Sequence, residues 1–272
     1  MKTFLSFGAG VQTTAMLIMI AKGELEADAV IFADTGAEHP ETYEYIEEYD
    51  RPLCERLGIP FITVRMHRIM VNVSTGEHEC ADSLREAILA RKRVPSINTR
   101  WCTEYAKITP IRMFIRNMQR EGKMEKPALS LIGISIDEKH RALNADGSWR
   151  QPRISEYRNV YPLVEKRISR DDCHRIIKDY GWPQPPKSGC YFCPFQSARE
   201  WASLFRTHPD LFWDAVALEE QDLNFPEYNL YPKGKRGLRR LASGPGFGYG
   251  SLSLFDDYEG QACVEVEASC ML

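Results

Sequence analysis

The chain has 272 residues, of which 43% are hydrophobic and 27% are charged. This composition is ordinary for a soluble globular protein with one large domain, or with one α/β domain and a helical extension. The net charge of −3 gives no overall attraction to nucleic acid. Any nucleic-acid binding would therefore need a local basic patch. No apolar run reaches the about 18 residues of a membrane span, so we expect no membrane contact.

The eight cysteines are too few and too unevenly spaced for a disulfide scaffold of this length. Only Cys190 and Cys193 form a close pair. The first residues also lack the apolar stretch of a secretory signal. We therefore expect a cytoplasmic protein in which Cys54, Cys80 and also Cys173 are ordinary thiols.

Short apolar runs alternate with helical patterns through the first part of the chain, which favours a twisted parallel sheet with flanking helices. Strands are predicted at residues 3–7, 28–33, 61–66 and 128–135. Helices are predicted at 13–22, 40–57 (kinked or divided at Pro52), 83–93, 111–120, from Ser169 to Gly181, and at 197–207 and 210–223. The sequence thus predicts a Rossmann-like α/β fold followed by a mainly helical C-terminal part.

A Gly-rich turn joins the first strand to the first helix. It contains Gly8 and Gly10, which permit close backbone approach, and Thr13 and Thr14, whose hydroxyls can donate hydrogen bonds. Anions bind at such helix N-termini because the first N–H groups lack partners within the helix. The turn is neither a P-loop nor a dinucleotide fingerprint, and a tight turn without a ligand is the alternative.

Three segments together carry a resemblance to a known family. Gly8-Ala-Gly-Val-Gln-Thr-Thr14 resembles the PP-loop of the adenine nucleotide α-hydrolase-like superfamily. The segments Asp34–Thr42 and Gly133–Arg141 resemble, in the same order, two strand-end segments of phosphoadenosine phosphosulfate (PAPS) reductases. The resemblance runs from about residue 3 to 200 and implies a HUP-type domain at 1–165 that binds an adenine nucleotide. A helical Cys-x-x-Cys region at 166–231 and a flexible tail at 232–272 would complete the chain.

The resemblance also implies roles for individual residues. Those expected to contact the nucleotide are Ser6, Gly8, Gly10, Gln12, Thr13, Thr14, Asp34, Thr35 and Gly36. Asp34 would hold a ribose hydroxyl or a magnesium-bound phosphate, unless it is only a helix N-cap. Arg141, held by Glu138, and Lys107 would face the anionic substrate as catalytic residues. A surface ion pair and a solvated lysine are the alternatives.

A Cys-x-x-Cys pair alone is compatible with zinc, with thiol–disulfide exchange or with one edge of an iron–sulfur cluster. Cys102, Cys190 and Cys193 resemble the two cysteine sites of iron–sulfur members of the family, which implies a 4Fe–4S cluster, with structural zinc as the alternative. Thr103 stands where adenylyl-sulfate reductases have a second cysteine. The fourth ligand would come from a further cysteine, or one iron would stay open as in certain tRNA-thiolating PP-loop enzymes. The candidate cysteines are Cys173, Cys263 and Cys270.

Two reactions are possible on such a scaffold. In the first, an acceptor nucleobase oxygen attacks the α-phosphate of ATP, and sulfur then displaces AMP. In the second, adenylyl sulfate is reduced to sulfite. The chain lacks the Glu-Cys-Gly-x-His segment of the reductases, so we expect ATP-dependent sulfur transfer to a nucleic acid, with sulfonucleotide reduction or a non-catalytic nucleotide-binding subunit as alternatives.

The expected partners follow from that chemistry. They are a sulfur donor or reductant protein, a nucleic-acid acceptor and, as a further possibility, a second copy of the chain. The basic segment at 233–240 could hold a nucleic-acid backbone, or could be a solvated linker.

Overall fold

The computed structural model describes residues 1–72, 74–225, 229–231 and 237–242. Its strands, in chain order, are β1 (Thr3–Phe7), β2 (Ala29–Asp34), β3 (Phe61–Arg65), β4 (Arg68–Val71), β5 (His78–Ala81), β6 (Ala128–Ile132) and β7 (Tyr157–Val160). Its α-helices are α1 (Val11–Ala21), α2 (Pro40–Tyr45), α3 (Arg51–Leu57), α4 (Leu84–Arg91), α5 (Trp101–Thr103), α6 (Thr109–Arg120), α7 (Lys139–Ala142), α8 (Pro162–Glu165), α9 (Arg170–Asp179), α10 (Ala198–Thr207), α11 (Pro209–Glu220) and α12 (Leu238–Ala242). Within these residues, no helix has both the length and the apolar character to cross a membrane.

Five strands form one sheet in the order β3-β2-β1-β6-β7. Strand β1 pairs in parallel with β2 on one side and with β6 on the other, and β6 pairs in parallel with β7. The strand order therefore reverses at β1, as in Rossmann-like folds, where ligands bind beyond the carboxyl ends of the strands at this reversal. The parallel α/β fold predicted from the sequence is confirmed.

The central strands and the first helix are buried because they carry apolar side chains in every direction. All six residues of β2 are buried, as expected for an inner strand of a parallel sheet. In α1, ten consecutive residues from Val11 to Ile20 are buried, so this helix has no solvated face. Phe7, Phe32 and Phe61 add edge-on and tilted ring contacts from three neighbouring strands.

The structure refines several predicted elements. The helix predicted over 40–57 is divided, with a π-helical turn (Ile46–Asp50) between α2 and α3, and Pro52 lies in the first turn of α3, where a missing N–H costs nothing. The strand predicted over 128–135 ends at Ile132. The antiparallel β4–β5 hairpin is an element that the sequence did not predict, because much of its surface is exposed and its apolar signal is weak.

The chain divides into two compact units. The first consists of Met1–Asp34, Glu38–Val64 and Ile108–Ser188. The second consists of Thr35–Ala37, Arg65–Lys107 and the described chain from Gly189 onward. The first unit continues beyond the predicted boundary at 165 because Cys173 and Ile177 of α9 are fully buried among side chains of β1 and α1.

Candidate nucleotide and cysteine sites

The first unit holds the predicted phosphate loop between β1 and α1. Ala9 has a left-handed backbone (φ 55°), which non-glycine residues rarely adopt, and Gly10 then takes the N-cap position. The Thr13 hydroxyl accepts a hydrogen bond from the Gly10 N–H (3.2 Å) and donates one to the Gly10 carbonyl (3.1 Å). Thr13 thus satisfies the N–H of the N-cap residue, and because Gly10 has no side chain to cap the N–H groups that follow, an anion can bind them.

The segment after β6 lies directly against this loop. A β-carbon on Gly133 would stand 2.7 Å from Cγ2 of Thr13 and 3.4 Å from Cβ of Gln12, distances that leave no room for a side chain. Because β1 and β6 are adjacent parallel strands, their carboxyl ends meet at the strand-order reversal. The structure therefore brings together two of the segments on which the sequence-based nucleotide site rests.

Two buried hydroxyl groups on these segments have no hydrogen-bond partner among the described residues. They belong to Thr14, in the first turn of α1, and to Ser135, after β6, and both residues are fully buried. Buried polar groups are almost always hydrogen-bonded in native proteins, because desolvation without a partner costs roughly 1–3 kcal/mol. Two such groups beside a phosphate-type loop fit a polar ligand.

Asp34, at the carboxyl end of β2, is held by a tyrosine. The Tyr43 hydroxyl donates to Oδ1 of Asp34 (2.7 Å) and accepts from the Glu38 N–H (3.3 Å). Burial and the Asp34 carboxylate raise the pKa of Tyr43 above its ordinary value, so its hydroxyl keeps its proton throughout the physiological range. The N-cap of α2 is His39, so Asp34 does not cap that helix.

Glu138 and Arg141 form a buried ion pair. Nη1 of Arg141 lies 2.8 Å from Oε2 of Glu138, and the two side chains are 5% and 11% exposed. The pair follows Ser135 on a 3₁₀ turn and α7, at the end of the segment that carries Gly133. Desolvation makes such pairs costly, so their presence is weak support for stability and stronger support for a role in holding a charged ligand.

The predicted nucleotide residues Thr35 and Gly36 lie in the second unit. The Thr35 side chain accepts hydrogen bonds from the Ala37 N–H (3.3 Å) and from the Cys190 thiol (3.3 Å). Gly36 has φ 68°, and a β-carbon there would be 2.9 Å from Cβ of Ser83. The structure thus connects Thr35 with a predicted metal ligand, and a contact of Thr35 or Gly36 with a nucleotide stays a prediction.

The three predicted metal ligands belong to one apolar cluster of the second unit. Cys190 is buried within it, and Cys102 and Cys193 pack against it while half-buried. A tight turn joins the downstream pair, since the Cys193 N–H donates to the Cys190 carbonyl (2.9 Å). Three sulfur donors in an apolar setting suit both an iron–sulfur cluster and zinc. The donor type therefore suits the predicted group, and the binding of a cluster or of zinc by these three cysteines stays a prediction.

Arginines stack on aromatic rings around these cysteines. The Arg68 guanidinium lies 3.9 Å from the centre of the Tyr105 ring, and Arg91 lies 5.1 Å from that of Trp101. Trp101 and Tyr105 flank Cys102 on α5 and the following π-helical turn (Glu104–Ile108), and the predicted Lys107 lies half-buried on the same turn. A role of Lys107 toward an anionic substrate stays a prediction.

Other predicted sulfur ligands differ in their surroundings. Cys173 is fully buried among apolar side chains of the first unit, where burial raises the pKa of its thiol to about 12, so it is a poor candidate for a thiolate ligand. Cys263 and Cys270 lie outside the described residues. Of the basic segment at 233–240, Arg239 is described, and it pairs with the Glu220 carboxylate (2.6 Å).

Two residues beside the predicted nucleotide-site residues were not identified by the sequence analysis. Tyr43 follows α2's buried Thr42 and resembled an ordinary helix-surface aromatic, and Ser135 stood inside a predicted strand. A sequence signal existed for Ser135, because it lies between Gly133 and the acid–arginine pair. No sequence signal existed for Tyr43, because its hydrogen bond to Asp34 depends on how the intervening turn folds.

Among the proteins similar to the chain are one relative by sequence and one by structure. The uncharacterized protein MJ0066 of Methanocaldococcus jannaschii is 24% identical over 224 residues, which make up 79% of this chain, and the match spans 41% of the relative's length. A solved structure of the U34-tRNA thiolase NcsA from Methanococcus maripaludis, with its [4Fe-4S] cluster, covers 83% of this chain and 72% of its own at 14% identity. Its TM-score is 0.40, too low for a functional inference.

A family match covers more than half of the chain. Residues 2–167 match the phosphoadenosine phosphosulfate reductase domain, a stretch that contains the phosphate loop, Asp34, the buried Glu138–Arg141 pair and Cys102. Together with the parallel sheet and its strand-order reversal at the loop, this match fixes the family. The chain belongs to the phosphoadenosine phosphosulfate reductase domain family.

Proposed function

We propose that this chain is an adenine-nucleotide-dependent sulfur-transfer enzyme that activates a nucleic-acid acceptor with ATP. The observation that carries the nucleotide part is the pair of unpartnered buried hydroxyls, Thr14 and Ser135, beside a helix N-terminus without a side-chain cap. A nucleotide phosphate would supply the missing hydrogen-bond partners. The sulfur part rests on the three cysteines grouped on one apolar cluster.

The residues of the first unit have distinct roles in this reaction. Amides of the loop from Gly8 to Thr14 would hold the β- and γ-phosphates, and would stabilise the charge that develops on pyrophosphate when an acceptor oxygen attacks the α-phosphorus. Asp34, oriented by Tyr43, would hold a ribose hydroxyl or a phosphate-bound magnesium ion. Arg141, held by Glu138, would pair with a phosphate oxygen.

Cys102, Cys190 and Cys193 would hold a 4Fe–4S cluster, whose iron would bind and deliver sulfur; zinc is the alternative occupant. Bound sulfur needs a donor, so the reaction requires sulfide as co-reactant, or a persulfide-carrying protein together with a thiol reductant that supplies the two electrons needed to release the sulfur. The acceptor's activated carbon would lose AMP and gain sulfur, and the acceptor oxygen would leave on AMP.

The test follows pyrophosphate release from labelled ATP under anaerobic conditions. We expect pyrophosphate only when ATP and acceptor RNA are both present, and thiolated nucleoside only when a sulfide source is added. Serine at Cys102, Cys190 or Cys193 should abolish the brown chromophore and thiolation, whereas Cys80→Ser, on an exposed hairpin, should retain both. Stoichiometric zinc without iron in the wild type would count against the cluster.

The family assignment favours a second candidate, the reduction of an adenylyl sulfate to sulfite. This reaction needs an attacking thiol and an external dithiol donor, and no acceptor nucleic acid. Sulfite release from adenylyl sulfate plus a thiol donor, without RNA, would support it over sulfur transfer. Loss of that sulfite in Cys270→Ser, with nucleotide binding intact, would identify the attacking thiol. Neither product, with nucleotide bound, would indicate a non-catalytic nucleotide-binding subunit.

A further inference from the structure

The β4–β5 hairpin of the second unit brings three metal-ligating side chains together on its exposed face. Ile69 pairs with Cys80, and the same antiparallel register places His67 opposite Asp82. Because side chains alternate along strands, these three share one face, and the opposite face carries the fully buried Ala81. His67, Cys80 and Asp82 lie outside the nucleotide and cysteine sites proposed above.

The contacts within this group are short. Nδ1 of His67 lies 2.5 Å from Oδ1 of Asp82, and Sγ of Cys80 lies 3.7 Å and 3.8 Å from the two ring nitrogens. One ligand atom from each residue lies within 4.8 Å of the others. In a tetrahedral zinc site with bonds of about 2.3 Å to sulfur and about 2.0–2.1 Å to nitrogen, sulfur and nitrogen stand roughly 3.5–3.6 Å apart. The cysteine–histidine separation is close to that value.

Two other interpretations of the group fit the geometry less well. A nucleophilic Cys–His–Asp arrangement needs the cysteine at the ring nitrogen opposite the aspartate, yet Cys80 is nearly equidistant from both nitrogens. An ion pair between His67 and Asp82 stabilises little here, because their side chains are 80% and 68% exposed and water screens their charges. The first interpretation needs a geometry that these residues lack, and the second leaves Cys80 without a role.

We propose that His67, Cys80 and Asp82 bind one zinc ion, with water in the fourth position. Zinc accepts this mixture of nitrogen, sulfur and carboxylate oxygen, and three protein ligands plus water form a common zinc coordination shell. Binding takes the proton from the Cys80 thiol and breaks the His67–Asp82 hydrogen bond, so that imidazole and carboxylate both turn to the metal. The released proton goes to solvent, and acidification weakens binding.

The test measures Zn²⁺ affinity of the full chain by competition with a chromophoric chelator. His67→Gln, Cys80→Ser and Asp82→Asn should each lower the Zn²⁺ affinity of the hairpin site. Loss of a group that only supports a ligand lowers metal affinity about 10- to 100-fold, and loss of a ligand should lower it at least as much. Glu79→Gln, on the same strand with its side chain on the other face, is the matched control and should leave the affinity unchanged. Equal affinity in all four variants and the wild type would overturn the proposal.

Cobalt distinguishes this site from the cysteine cluster. Co²⁺ bound to the wild type should show sulfur-to-metal charge-transfer absorption, part of which disappears in Cys80→Ser. That same part should persist in Cys102→Ser. Proton release on Zn²⁺ addition should fall in Cys80→Ser by one proton per chain. Unchanged unfolding temperatures in chelator would show that the hairpin still folds. Cobalt absorption that is identical in the wild type and Cys80→Ser would contradict the site.

Discussion

A β-carbon on Gly133 would lie 2.7 Å from Cγ2 of Thr13, so the segment after β6 can meet the phosphate loop only with glycine at this position. Gly133→Ala should therefore push the two segments apart. We expect a loss of about 1–3 kcal/mol in the free energy of unfolding, typical of overpacking, and an at least about ten-fold weaker nucleotide affinity. Chemical denaturation and calorimetry with ATP measure the two effects.

A rescue variant tests the cause of that loss. Thr13→Ser removes the methyl group but keeps the hydroxyl that bridges the Gly10 N–H and carbonyl, so it should restore much of the affinity in the Gly133→Ala background. Gly189→Ala is the matched control, because a β-carbon there meets no atom within 4 Å. If Gly133→Ala binds ATP like the wild type, the close approach has no role in binding.

Thr14 offers a change that separates stability from binding. Thr14→Val keeps the shape of the side chain and removes a buried hydroxyl that has no partner among the described residues. We expect the ligand-free protein to gain about 1 kcal/mol, because the unpartnered group is gone, while nucleotide affinity falls about ten-fold. Thr13→Val is the contrasting variant, since it breaks existing hydrogen bonds and should destabilise. A stable Thr14→Val protein with full affinity would show that this hydroxyl contacts no ligand.

Tyr43 should matter more than its position on a helix surface suggests. Tyr43→Phe removes the hydrogen bond to Asp34 and should cost about 1.5–3 kcal/mol in stability, as for bonds to charged groups. We also expect weaker nucleotide binding, because Asp34 loses its orientation. Tyr45→Phe on the same helix removes a bond to the Pro183 carbonyl instead, and serves as control. Equal ATP affinity in both variants would remove Tyr43 from the site.

Because of Asp50, we expect the free energy of unfolding to depend on pH. It is fully buried, its carboxylate has no partner among the described residues, and burial raises its pKa well above the ordinary 3.8. Above the ordinary value the unfolded chain loses this proton while the folded chain keeps it, so stability falls as the pH rises toward the raised pKa. Asp50→Asn should abolish this fall. Urea titrations from about pH 4 to about pH 8 measure it, and parallel curves for both proteins would contradict it.

The sequence was sufficient for the sheet because buried parallel strands carry unbroken apolar runs, as in β2. It was insufficient for the β4–β5 hairpin, where the apolar residues Ile69 and Val71 are exposed, so that hydrophobicity does not mark the buried face. The Gly-rich turn between β1 and α1 could be predicted because its glycines and threonines are local in sequence. Partners distant in sequence could not be predicted, and the Thr35–Cys190 hydrogen bond joins residues 155 positions apart.

The interleaving of the two units limits how the chain can be cut or recombined. A fragment that ends at residue 167, where the family match ends, would lack α9 and would leave Leu5 and Leu17 without the cover of Cys173 and Ile177. Such a fragment should aggregate through its exposed core. Because the second unit takes its residues from three separated stretches, transplanting the cysteine region onto another scaffold would require three simultaneous grafts. The positions that tolerate insertions, deletions and fusions are therefore limited by the path of the chain between the two units as well as by side-chain packing.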